Sequence, residues 1–134
     1  MSLSTLCPAQ IVINSRFKPL SYEELCIQAA MEAEYNQRQK ERFEYFQNKA
    51  YECYNKQDWY GFLTNSNYAL ETGWYNAKLY YDRGVVFERL NNFKEAKKNY
   101  KKAKKKGYAY AEDAIKSLKQ KEKEYKRLRK LYNR

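Results

Sequence analysis

Between residues 93 and 106 the apolar positions Phe93, Ala96, Tyr100 and Ala103 recur at intervals of three or four, with lysines filling the positions between. This is the pattern of a helix with one packed face and one solvated face. A second stripe, Ala111, Ala114, Ile115, Leu118, Tyr125, Leu128 and Tyr132, predicts one long amphipathic helix over 109–132. At ~1.5 Å per residue it reaches about 36 Å, against ~21 Å for a helix of about 14 residues. Its end, "KEKEYKRLRKLYNR", is therefore expected to extend past the helices it packs on. Upstream, "SYEEL" at 21–25 matches a capping box, Ser21 bonding forward and Glu24 bonding back. Neither Pro nor Gly occurs from Ser21 to Tyr60, so a first helix is expected from Tyr22 well into the following segment, a break near Asn36 being the alternative. The stretch "IVINSRF" before it suits an extended or irregular segment. The expected organisation is residues 1–20 irregular and 21–134 helical.

The chain also repeats. "FEYFQNKAYECYNKQDWYGFLTNSNYALETGWYN" (43–76) lies in register, without a gap, with "AKLYYDRGVVFERLNNFKEAKKNYKKAKKKGYAY" (77–110). Ala50 meets Gly84, Asp58 meets Asn92, Trp59 meets Phe93, Ala69 meets Ala103, and Gly73 meets Gly107. Small residues allow close approach of paired helices, and aromatics after each turn fill the junction. Asp and Asn accept hydrogen bonds from the free amides that open a helix, and Gly adopts the left-handed conformation that closes one. Only four Gly and two Pro are present, both Pro before residue 20, which adds to an all-α expectation of antiparallel helix-turn-helix repeats.

In the second copy Tyr80, Gly84, Phe87, Phe93, Ala96, Tyr100 and Ala103 fall on the motif of the tetratricopeptide repeat family, with Arg83 in place of Leu and Tyr108 in place of the closing Pro. In the first, Phe46, Ala50, Trp59, Tyr60 and Ala69 fit, while Cys53, Phe62, Ser66 and Trp74 depart from it. The chain thus resembles that family over the two copies. The resemblance implies an α-solenoid fragment whose groove is lined by the first helix of each pair: Glu44, Gln47, Tyr51, Tyr54 and Asn55, then Lys78, Tyr81, Val85, Glu88 and Arg89. Tyrosine there suits a peptide partner, offering rigid apolar contact and a hydrogen bond; contact with the N-terminal helix is the alternative use. Some members hold a chaperone's C-terminal carboxylate through Lys, Asn and Arg. Asn48 and Lys78 stand near two such positions, but Asp82 occupies the place of the Arg, and the clamp is not carried over.

Charge is unevenly placed. The chain carries +11 from 27 Lys and Arg against 16 Asp and Glu, yet residues 94–134 alone hold +12 and residues 1–93 hold −1. Such a surface suits a solvated exterior or an acidic partner. The alternative function is therefore nucleic-acid binding through Lys101, Lys104, Lys105, Lys106, Lys126, Arg127, Arg129 and Lys130, with Tyr108, Tyr110, Tyr125 and Tyr132 available for stacking. Self-association through Leu118, Tyr125, Leu128 and Tyr132 is a third possibility.

Site chemistry is sparse. With no His, the commonest general base and metal ligand is missing. The isolated glycines make no phosphate loop, and Cys7, Cys26 and Cys53 are too dispersed for a metal site or a disulfide framework. No catalysis, cofactor or metal is expected. The cysteine usage favours a reducing compartment, the cytoplasm, and neither a signal peptide nor a membrane span is expected. The function expected is that of a non-catalytic protein–protein interaction module, an adaptor, scaffold or assembly subunit.

Overall fold

The computed structural model describes residues 18–133. These form five α-helices, α1 Tyr22–Asn55, α2 Trp59–Leu70, α3 Ala77–Arg89, α4 Phe93–Lys105 and α5 Ala111–Tyr132, with no strand among the described residues. The fold is all-α, built from successive helix-turn-helix pairs. The expectation for "IVINSRF" lies outside the described residues.

The capping box opens α1: the Ser21 amide donates to Glu24 Oε2 at 3.1 Å and the Glu24 amide to Ser21 Oγ at 3.2 Å. The helix continues through Asn36 without a break, for 34 residues. The chain nevertheless divides into two units, residues 1–36 and 37–134. In the first, every described residue is exposed, including Leu20, Leu25, Ile27, Met31 and Tyr35.

In the second unit the two turns are near copies. Gln57 and Asn91, 34 residues apart, both take positive φ, 59° and 58°. The Asp58 amide reaches back to the Cys53 carbonyl and the Asn92 amide to the Phe87 carbonyl, each at 2.9 Å. The next side chain then caps the following helix: Asp58 Oδ1 accepts from the Gly61 amide at 3.0 Å, and Asn92 Oδ1 from the Glu95 amide at 3.2 Å. Gly73 and Gly107 close α2 and α4 at φ 88° and 89°, a region glycine enters without the penalty a Cβ brings.

The side chains inside the two hairpins differ in a compensating way. Phe62 and Ser66 on α2 correspond to Ala96 and Tyr100 on α4, so a large-then-small order becomes small-then-large, and all four are buried. Phe62 packs with Phe43, Ala50, Ala69, Leu79 and Val86. Tyr100 packs with Ala96 and, from α5, Leu118. Two of the first copy's departures from the repeat motif, Phe62 and Ser66, are in this sense a repacking of equal volume.

Helix α5 completes the unit by covering α4. Leu118 is buried, and the Tyr125 ring meets Phe93 edge-on at 5.3 Å. Half of the stripe read as a self-association surface is thus used inside the chain. Leu128, Leu131 and Tyr132 beyond it are exposed. No helix among the described residues is long and apolar enough to cross a membrane.

Candidate functional site

The first helices of the two hairpins, α1 and α3, bring a set of tyrosines together around one carboxylate. Asp82 is buried, and its Oδ2 accepts from Tyr51 Oη at 2.6 Å and from Lys78 Nζ at 2.7 Å. A buried carboxylate needs such donors. The Lys78 ammonium also lies 5.1 Å from the Tyr51 ring centroid, within cation–π range. Burial, then the hydrogen bond and charge of Asp82, raise the Tyr51 phenol far above its ordinary range, with the phenols of Tyr54 and Tyr108 adding to the effect. Burial pulls Lys78 down, but the hydrogen bond and charge of Asp82 outweigh it and leave that ammonium raised.

Around this centre the rings form two runs, Tyr51–Tyr54–Trp59 and Tyr81–Tyr108–Tyr110. Tyr51 and Tyr54 are 6.2 Å apart, Tyr54 meets Trp59 at 5.4 Å, and Tyr81 meets Tyr108 at 4.8 Å. Tyr108 in turn meets Tyr110 at 5.7 Å. The surface continues between α3 and α5 as a groove of about 550 Å³, with Tyr81, Val85, Glu88 and Arg89 on one wall and Tyr110 and Lys121 on the other.

Of the residues named from the repeat register, Tyr51, Tyr54, Lys78 and Tyr81 converge here. Glu88 faces the groove but is already engaged, accepting from Tyr100 Oη at 3.0 Å and from Lys121 Nζ. The Arg89 guanidinium lies over Trp59 at 5.0 Å, and Gln47 Oε1 accepts from Asn76 Nδ2 at 3.3 Å. Glu44 and Asn55 are exposed. Two contributors were not placed in the groove by sequence: Asp82, whose only local signal is its spacing of four from Lys78, and Tyr108, which stands where the repeat motif has Pro and was named only as a stacking residue for nucleic acid.

The basic candidates are scattered over the outer faces of α4 and α5. Lys104 pairs with Glu112 at 3.7 Å, Lys126 with Glu122 at 3.1 Å, and Arg127 with Glu124 at 2.6 Å. Lys106 sits 3.7 Å from the Tyr75 ring centroid. Lys101, Lys105, Arg129 and Lys130 are exposed and make no ion pair among the described residues. Among the described residues there is no grouping of three or more Cys, Asp or Glu able to hold a metal ion, and Cys26 and Cys53 are free thiols.

Compared with protein-family models, with curated proteins and with solved structures, the chain matched none.

Proposed function

We propose that this chain is a non-catalytic interaction module of the tetratricopeptide type that holds a segment of another protein against its tyrosine-lined face. It would serve as an adaptor, a scaffold or a structural subunit, acting by equilibrium binding in the cytoplasm. The observation that carries this reading is the convergence of Tyr51, Tyr54, Tyr81 and Tyr108 around the Asp82–Lys78 pair. A ring held by a hydrogen bond, as Tyr51 is by Asp82, and rings packed on one another, as Tyr51 is on Tyr54 and Tyr81 on Tyr108, lose little freedom when a partner docks, which is what makes tyrosine an effective contact residue. The groove toward Tyr110 and Lys121 supplies length for an extended or helical segment. The free thiols of Cys26 and Cys53 fit a reducing compartment.

The test compares the wild-type chain with a Tyr54→Ala, Tyr81→Ala variant in affinity capture from the source cell, circular dichroism confirming that the variant stays helical. Any captured protein is then titrated in purified form against both. A partner held by the wild type and released by the variant supports the reading; identical partner sets and affinities end it.

Nucleic-acid binding stays the second reading. It is favoured by four exposed basic residues without ion pairs, Lys101, Lys105, Arg129 and Lys130, close in sequence to aromatic residues.

A further inference from the structure

Arg83 stands where the repeat motif has Leu, and it is only 9% exposed. Its Nε donates to Asn99 Oδ1 at 3.1 Å, and its Nη1 donates to the Leu63 carbonyl at 3.3 Å and to Ser66 Oγ. All three acceptors are neutral. No carboxylate of the described residues lies within ion-pair distance of the guanidinium, whereas a buried arginine ordinarily has a counter-charge. Burial holds the group below its usual range, against smaller opposing influences from Tyr80 and Glu95; arginine stays protonated all the same.

The remaining nitrogen, Nη2, has no hydrogen-bond partner among the described residues. Among those residues no buried side-chain nitrogen or oxygen is left without a partner, so Nη2 keeps some exposure. Arg83 lines a hollow of about 380 Å³ between α2, α3 and α4, together with Asn67, Tyr80, Asn99, Lys98 and Lys102. Glu71 and Glu95 also border it, Glu95 lying 3.5 Å from Lys98. Lys102, itself exposed, lies 5.6 Å from the Tyr80 ring centroid, and both residues line the hollow. Three cations against two carboxylates leave one positive charge uncompensated.

We propose that this hollow is a carboxylate-binding site, with the Arg83 Nη2 donors at its floor and Lys102 at its rim. It lies on α2, α3 and α4, apart from the tyrosine face built on α1 and α3. One negative charge balances the lining; a phosphate dianion adds a second beside Glu71 and Glu95, where like charges repel. The planar carboxylate also suits a nitrogen with two free donors. The ligand is a free organic acid or the carboxylate of a peptide.

The probe is the Arg Nε–Hε region of the proton–nitrogen correlation spectrum of the intact chain. It is titrated with sodium acetate, with a doubly capped glutamate peptide, and with sodium phosphate and chloride at matched ionic strength. The expected result is a saturable shift of the Arg83 signal and the Asn99 side-chain amide with acetate or the peptide, and none with chloride. Saturation by acetate alone assigns a free acid, and tighter saturation by the peptide assigns a peptide carboxylate. Lys102→Gln, a change at an exposed position, weakens the affinity severalfold, and Arg83→Met removes the Asn99 response. If Arg83→Met fails to fold, Lys102→Gln decides. Absence of a saturable shift with either carboxylate, tighter binding of phosphate, or unchanged affinity in Lys102→Gln overturns the proposal.

Discussion

The Tyr100 ring lies directly over Gly84: a Cβ built on that glycine would stand 2.5 Å from Cε1 and 2.6 Å from Cδ1. The bare backbone of α3 at this point is what gives the ring of α4 its place in the core. Gly84→Ala is therefore expected to destabilise the chain by about 1–3 kcal/mol, the cost of overpacking, despite alanine's better helix propensity. In a Tyr100→Ser background, which imitates the first hairpin, the same change should reverse sign and stabilise by ~0.5–1 kcal/mol. Urea unfolding of the four proteins of this cycle checks both statements; a cost unaffected by residue 100 would show that the ring is not the obstacle.

The phenols of Tyr51, Tyr81 and Tyr100 are all raised above their ordinary 10.0, in each case chiefly by burial, and Lys78 is raised above 10.5. A raised group keeps its proton in the folded chain after the unfolded chain has lost it. Stability is therefore whole below about pH 10 and falls as pH rises above it. Tyr51→Phe removes one of these groups, so its unfolding free energy should decline less steeply than that of the wild type. Denaturant titrations at about pH 9 and about pH 11 supply the comparison, and equal slopes would count against the Tyr51–Asp82 bond.

At the turns, Gln57 is a poor occupant of its left-handed conformation and Asn91 a tolerable one. Gln57→Gly should stabilise by ~0.5–1 kcal/mol and Asn91→Gly by less. One residue further on, Asp58→Ala or Asn92→Ala should lose about 1 kcal/mol with the cap. Thermal unfolding ranks all four; a loss on Gln57→Gly would contradict the turn geometry.

For the basic faces, electrostatic contact with nucleic acid predicts affinity that falls with salt, each phosphate contact adding about 0.7 to 0.9 to the log–log slope. If interaction with protein is the chain's role, binding of labelled RNA or DNA should vanish by about 0.15 M salt. Replacing Lys101, Lys105, Arg129 and Lys130 by Gln should flatten what remains at low salt. Binding that survives physiological salt with sequence preference would make the nucleic-acid reading the better one.

Much of the architecture was legible because its signals are local. Ser21 with Glu24, Asp58, Asn92, Gly73 and Gly107 act within a turn of their own positions, and the structure places each as the spacing suggests. What was not legible depends on distant partners. Arg83 looks like a surface charge until Ser66 and Asn99, 17 and 16 residues away, are folded against it. Tyr51 gives no sign of its bond to Asp82, 31 residues on. Gln57 hides its positive φ because glutamine carries no preference for that region, and the geometry comes instead from the return of the Asp58 amide to Cys53. The stripe on α5 shows an apolar face but not which half of it a neighbouring helix will take.

The near-identity of the two turns suggests a splice: cutting out residues 58–91 would join α1 to α4 through backbone that already has the right shape. The shortened chain would nevertheless set the methyl of Ala50 where Gly84 had been, under Tyr100. The modules share a hinge but not a lock, so their order along the chain is fixed by side-chain volume rather than by the path of the main chain.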